Sequence, residues 1–437
     1  MQCFKIEGGN PLVGTVSVCG AKNAVLPEIA AAVLSEERVV LQNVPPLSDL
    51  KNMIGAAKLL GVKCRADFEK NQLEIDAGNI VPAEIPYEQA SRLRTSFLFA
   101  GPLLARFGYM KISMPGGCAI GNRPIDLHIK GLELMGANIV CDGGFVEGYA
   151  ENGLHGAEIY LDFPSVGATE NLMLAACLAK GRTVIQNAAA EPEICDLADF
   201  LREMGAEIQN DGSDKITVEG VTKLHGAVHT VMPDRIEAGT YMIAAATAGG
   251  DVLVKGILPE YISPVCAKLT ESGVEIIEGN DYVRVISECG HACHIKSIDV
   301  KTMPYPGFPT DLQAQITAFL TGVDGTGVVT ETVFENRFNH VCELCRMGAS
   351  IKVEGRTAVI AGGKTLSGTV LRAPDLRAGA GLAIAALAAK GVTTLYGVEH
   401  IDRGYYDLEG KMSALGANFR RCRETPDFDG NCMNVTD

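Results

Sequence analysis

The sequence has no Trp, and aromatic residues make up only 6% of its 437 positions. Platforms that stack single-stranded nucleic acid are built from such rings, so their scarcity argues against that activity. Positive charge is also short: 38 Lys and Arg stand against 53 Asp and Glu, a net charge of -15. Such a chain repels nucleic acid and anionic membrane at long range, and a cationic site for a small anion must be concentrated in a pocket. Long apolar runs are missing as well. The opening MQCFKIEGGNPLVG has no apolar core of a signal peptide, and the stretch around residues 378–390 is too short and alanine-rich to span a bilayer. The expectation is a cytoplasmic protein with no membrane insertion and no nucleic-acid partner. The 14 cysteines are scattered through a large chain without a secretion signal, which favours reduced thiols over a disulfide framework.

What the chain does have is 47% apolar residues and 49 glycines. Its length suits two domains better than one core. A phrase recurs six times, in which an apolar helical segment ends in Gly and an alternating strand follows: LLGVKC, LMGANIV, EMGAEIQ, ESGVEII, RMGASIK and ALGANFR. The glycines, Gly61, Gly136, Gly205, Gly273, Gly348 and Gly416, are 68 to 75 residues apart and read as left-handed helix C-caps, scaffold and not chemistry.

The first unit reads as strand GTVSV, helix KNAVLPEIAAAVLS, strand RVVLQNV, a second helix capped by Ser48 or Asp49, and the closing strands VKCRAD and QLEIDA. The repeat is therefore β-α-β-α-β-β, and the fold class is α/β. Six units divide into two groups of three, with a boundary in VMPDRIEAGT where Pro233 interrupts and Asp234 can cap the next helix. The strand before Gly20 lacks a partner in its own unit and fits with the last group. The expected domains are 22–232, and 1–21 with 233–437, joined by two crossings and enclosing a cleft.

Several polar residues stand in Gly- or Pro-rich turns where packing does not require them. They are Lys22 and Asn23 in CGAKNAVLP, Arg94 in RLRTS, Cys118 and Arg123 in MPGGCAIGNRP, Asp311 in PGFPTDLQAQ, Arg337 in VFENRF, Asp375 and Arg377 in PDLRAG, and Arg403 in HIDRGY. Each cation taken alone reads as an ordinary solvated surface charge, and only their coincidence points further. Lys22, Arg377 and Arg403 lie at or near expected helix starts, where free N–H groups already favour anions, so a shared phosphate or carboxylate would suit all three. Asp311 reads either as an N-cap or as a carboxylate placed to take a proton. Cys118, between two glycines and AIG, reads as a reactive thiol whose protonation the sequence leaves open. CGHACH (Cys289, His291, Cys293, His294) and CELC (Cys342, Cys345) resemble zinc spacings, but the second lies inside a repeat helix and no metal site is expected.

These motifs, with SVGAT, AAAEPEI, PDRIEAGT and ETVFENRF in this order, resemble the UDP-N-acetylglucosamine 1-carboxyvinyltransferases, a family of enolpyruvyl transferases. The likeness spans about residues 1–420. It implies a two-domain inside-out α/β barrel, three repeats per domain, with helices inside. It also implies transfer of the carboxyvinyl group of phosphoenolpyruvate to the 3'-hydroxyl of UDP-N-acetylglucosamine, with release of phosphate and no metal or organic cofactor.

Carried over by motif, Lys22, Arg123 and Arg403 would hold the phosphoenolpyruvate phosphate, and Arg377 would help with its carboxylate. Asn23, Asp311, the segment Arg123, Pro124, Ile125, Asp126 and Leu127, and Ser165, Val166, Gly167 and Val333 would hold the sugar nucleotide. Arg94, Arg337 and Asp375 match further cleft positions. Cys118 would supply or assist the C3 proton, and Asp311 would take the hydroxyl proton. The alternatives are the related transferase acting on shikimate 3-phosphate and a non-catalytic paralogue that binds the UDP-sugar.

Overall fold

The computed structural model describes residues 1–80, 84–88, 94–114, 125–287 and 295–423. Cys118, Arg123, Pro124, the CGHACH stretch and the tail beyond residue 423 lie outside the described residues.

Six small sheets carry the repeat: five have four strands and one has three. In the four-stranded sheets of the first, third, fourth and fifth repeats a strand lies parallel to its neighbour, which pairs antiparallel with one arm of a hairpin; in the sixth, Gln2–Glu7 and Asn418–Arg423 take the place of the hairpin. In the third unit, for example, Glu158–Tyr160 runs parallel to Arg182–Gln186, which pairs with Lys215–Glu219 and through it with Glu207–Gln209. The three-stranded sheet gains a rudimentary fourth place from the parallel bridge of Ile85 to Ile112. All six repeat glycines have φ between 89° and 100°, the left-handed conformation that ends a helix cheaply only without a Cβ.

Helices fill the interior. Arg235–Ala248, Gln313–Gly322 and Leu376–Ala388 pack on one another. Every residue of the last helix from Leu376 to Leu387 is buried, so its low polarity follows from having no solvent face. The buried apolar residues form two clusters, one drawn from residues 21–232 and the other from 4–16 together with 236–419.

Two features of the strand order differ from the expected unit. GTVSV does not open the first repeat: Leu12–Ser17 runs parallel to Gly250–Lys255 in the fourth, and the vacated place beside Val39–Gln42 is taken by Val228–Thr230. GTVSV thereby joins the last group of three repeats, as expected, and so does Gln2–Glu7, between Val392–Tyr396 and Asn418–Arg423. The exchange is made where the chain passes between the clusters twice. There the two segments bind each other: Ala21 N–H donates to the Met232 carbonyl (2.7 Å), and Asp234 N–H to that of Cys19 (2.8 Å). Gly20 lies at the tightest point, where a Cβ would come 1.8 Å from the Asn43 carbonyl oxygen.

Candidate active site

Asp234 caps Arg235–Ala248 as expected, its Oδ1 accepting the N–H groups of Ile236 (2.8 Å) and Glu237 (2.9 Å). Its other oxygen accepts the backbone N–H of Lys22 at 3.3 Å. The waist residue therefore fixes the start of the Lys22–Ala31 helix. Asn23 follows, half-buried, and its carbonyl lacks the usual helical donor because the residue four places on is Pro27.

Lys22 turns its ammonium to Asp49 (3.5 Å), which also accepts from Arg403 Nε at 2.8 Å. Asp49 is buried and Arg403 comes from the other cluster, so this carboxylate joins two cations from opposite sides; beside it Ser48 N–H donates to the Asp402 carbonyl (3.2 Å). The Ser48–Leu59 helix is thus not capped by Ser48 or Asp49, because Asp49 is recruited to the cations. Arg403 is not at a helix start; it follows the short helix Val398–Ile401. Burial lowers the pKa of Lys22, an effect opposed by Asp49 and Asp311 and increased by Arg377 and Arg403.

Asp311 is not a cap either. No side chain caps its turn, and its carboxylate lies between two buried guanidinium groups, Arg337 (2.6 Å) and Arg377 (3.0 Å). Burial would raise its pKa, but Arg377, Arg337 and Lys22 more than reverse this and hold it well below the usual carboxylate range. Arg337 also donates to Thr310 Oγ1 (2.9 Å), which donates to Glu331 Oε2 (2.9 Å). The other oxygen of Glu331 accepts the N–H groups of Val333 and Phe334, which fixes the Val333 turn beside Asp311.

Asp375 caps the Leu376–Ala388 helix through the N–H groups of Arg377 and Ala378, both at 2.9 Å, and is itself held by Asn339 Nδ2 (2.8 Å). That bond places Arg377 over the ring of Tyr405, 5.5 Å from its centroid. Among the described residues Arg377 Nη1 is buried with no partner. The Tyr405 hydroxyl meets Thr240 (2.9 Å) and Gln315 (3.2 Å), completing a polar floor.

Across from this group Ser165 caps the Val166–Ala176 helix by accepting from Ala168 N–H (3.3 Å). A Cβ on Gly167 would lie 3.4 Å from His128. His128 belongs to the Asp126–Leu134 helix that Ile125 precedes; Ile125 and Leu127 pack against the first cluster, and Asp126 is exposed. Burial and, to a lesser degree, the charge of Arg94 lower the His128 pKa to about 3; Arg94 itself opens the short 3-10 helix Arg94–Phe99.

The structure thus joins Lys22, Arg403, Asp311, Arg337 and Arg377 into one charged network, with Asp375 and Val333 at its edges. It places Ser165, Val166, Gly167, Ile125, Asp126, Leu127 and Arg94 on elements of the first cluster. Asp49, Glu331 and Tyr405 are members that the sequence reading passed over. Asp49 had an ambiguous signal, a helix-start carboxylate, while Glu331 and Tyr405 lie within ETVFENRF and HIDRGY, whose other residues drew the attention.

A family model described as EPSP synthase (3-phosphoshikimate 1-carboxyvinyltransferase) matches residues 6–412. A UDP-N-acetylglucosamine 1-carboxyvinyltransferase of Caldanaerobacter subterraneus subsp. tengcongensis is 53% identical over 96% of this chain and 99% of its own. The chain belongs to the UDP-N-acetylglucosamine 1-carboxyvinyltransferase family. Another such transferase, from Staphylococcus saprophyticus, is 50% identical over 96% of this chain and 99% of its own. Among solved structures, the enolpyruvyl transferase NikO of Streptomyces tendae superposes with a TM-score of 0.86 at 26% identity, covering 96% of this chain and 98% of that one. EPSP synthase of Acinetobacter baumannii gives 0.74 at 21% identity over 97% and 100%, a likeness of fold. As a member of this transferase family the chain carries the enolpyruvyl-transferase fold, with helices inside and sheets outside.

Proposed function

We infer that this chain transfers the carboxyvinyl group of phosphoenolpyruvate to the 3'-hydroxyl of UDP-N-acetylglucosamine and releases phosphate, the first committed step of peptidoglycan synthesis. The observation that supports the chemistry best is Asp311 held between Arg337 and Arg377 within reach of the Lys22 field. Two anionic substrates need such a density of fixed cations, and the reaction needs a carboxylate among them.

The working lobes are residues 22–232, and 1–21 with 233–437, closing over the cleft. Lys22, Arg403 and Arg123 hold the phosphate of phosphoenolpyruvate; Arg377 offers Nη1 to its carboxylate. Asn23, Arg94, Arg123 to Leu127, Ser165 to Gly167 and Val333 hold the sugar nucleotide, while Arg337 and Asp375 keep Asp311 and Arg377 in place.

In the addition step the 3'-oxygen bonds to C2 of phosphoenolpyruvate, its proton passes to Asp311, and C3 takes a proton from Cys118. Because the product keeps the vinyl group, C3 must lose a proton again as the C2–O bond to phosphate breaks. A carboxylate with a lowered pKa is a weak base. Substrate anions that draw Arg377 and Lys22 away from Asp311 raise its proton affinity, so the base is strengthened when phosphoenolpyruvate is in place.

Phosphate release should require both substrates, with shikimate 3-phosphate unable to replace the sugar nucleotide. Release with shikimate 3-phosphate would favour the related transferase, and binding without release would favour an idle paralogue. Cys118→Ser should bind UDP-N-acetylglucosamine normally while turnover falls at least about a hundredfold, the usual contribution of a general acid. Fosfomycin should modify Cys118 covalently, seen as a mass increase lost in the same variant. Wild-type turnover in Cys118→Ser would remove the acid role.

A further inference from the structure

We propose that Glu28, Asp196 and His229 bind a divalent transition-metal ion inside the 22–232 half, at a site separate from the chemistry. Glu28 lies within the helix that Lys22 begins, Asp196 on the helix Pro192–Glu203, and His229 on the strand Val228–Thr230. One donor atom from each falls within 4.8 Å of the others. His229 Nε2 is 3.3 Å from Asp196 Oδ1 and 3.8 Å from Glu28 Oε1. Donors around a tetrahedral ion with bonds of about 2.1 Å lie about 3.4 Å apart, so small side-chain rotations close the set.

The hydrogen bonds around the three residues fix which atoms remain for an ion. His229 Nδ1 lies 3.0 Å from Glu203 Oε2. An ionised carboxylate only accepts, so Nδ1 carries a proton, and once Nε2 gives up its own its lone pair faces Glu28 and Asp196. A histidine with a carboxylate behind its other nitrogen is the usual support of a metal-ligating imidazole. Asp196 is oriented in the same way: its Oδ2 accepts the N–H of Met232 (3.0 Å), leaving Oδ1 to the cluster. Glu28 is fully buried, and among the described residues neither of its oxygens nor His229 Nε2 has a hydrogen-bond partner.

A lone pair facing two carboxylates in a buried space repels them. A single proton relieves one contact and leaves another buried oxygen unpaired, whereas a divalent cation satisfies all three donors. One imidazole nitrogen with two carboxylate oxygens suits Zn²⁺ or Mn²⁺ better than Ca²⁺, which prefers an all-oxygen shell. Asp196, with its side chain 13% exposed, and Glu203, 47% exposed, give the ion a route from solvent. Bound there, the ion would tie two helices to the strand that leads into the Met232 crossing, so its effect is on stability and not on the reacting atoms.

The full chain, purified without a metal-affinity column, should carry or take up about one Zn²⁺ or Mn²⁺ per molecule by mass-spectrometric metal analysis. After chelator treatment, adding the ion at about a hundred times its dissociation constant should raise the melting temperature by several degrees. Glu28→Gln should fold, keep transferase activity and lose both the stoichiometric ion and the rise. His229→Gln reads the same loss should Glu28→Gln fail to fold. An unchanged melting temperature with Zn²⁺ and Mn²⁺ overturns the proposal. So does a metal content that survives both substitutions, which would put the ion elsewhere, for instance on cysteines.

Discussion

Asp49 receives Lys22 from the helix that follows the waist and Arg403 from the last repeat, so one carboxylate sets the charge balance of two phosphate-binding candidates. Its field raises the Lys22 pKa against the burial that lowers it. Asp49→Asn removes the opposing effect, so Lys22 loses its proton at a lower pH than in the parent. The alkaline limb of kcat/KM for phosphoenolpyruvate should therefore move to lower pH, with a loss of about tenfold at neutral pH, near 1.4 kcal/mol of transition-state binding. A pH profile whose alkaline limb stays in place would separate Asp49 from the cation site. The same residue shows what a sequence read locally leaves out. A helix-start Asp is an ordinary cap, and only the arrival of Arg403 some 350 positions later makes it an ion-pair centre. Asp311 allowed two readings for the same reason, and its ion pairs with the buried Arg337 and Arg377 exclude the cap.

At the scale of elements, the repeat was legible because each helix must end in a left-handed residue before its strand, and glycine marks that position in the text. The strand exchange was legible only in part: the strand before Gly20 read as belonging with the last group, but the alternation of Leu12–Ser17 and Val228–Thr230 names no partner strand. Gly20 is the residue at which the exchange is most sensitive. Gly20→Ala would drive a methyl into the Asn43 carbonyl, and the backbone there cannot yield without parting the Cys19 and Met232 hydrogen bonds. A loss of at least about 2 kcal/mol is expected, read as a fall in the denaturant midpoint. A midpoint equal to that of the parent would mean that the crossing has more room than this packing gives it.

For the whole molecule, the polar links between the two halves among the described residues include the waist hydrogen bonds, Asp49 with Arg403, Ser48 N–H with the Asp402 carbonyl, Tyr305 N–H with Glu191, and Arg235, which donates to Glu193 at 3.0 Å. Polar links of this kind suit the proposed lobes changing their separation. UDP-N-acetylglucosamine with fosfomycin should lower the radius of gyration in X-ray scattering from about 22 Å, the value for a compact chain of this length. An identical curve with and without the pair would count against closure.

The pairing of Gln2 with Arg423 also sets a timetable for biosynthesis. Residues 21–232 hold every apolar member of their own cluster, so that half can collapse while the rest is still being translated. The opening strand, with Phe4 and Ile6 destined for the interior, has to stay unpaired until the last repeat leaves the ribosome, roughly 20 to 80 s later at about 5–20 residues per second. During that interval it is an apolar edge available to any neighbouring nascent chain, and a chaperone that shields unpaired strands would have most to protect there.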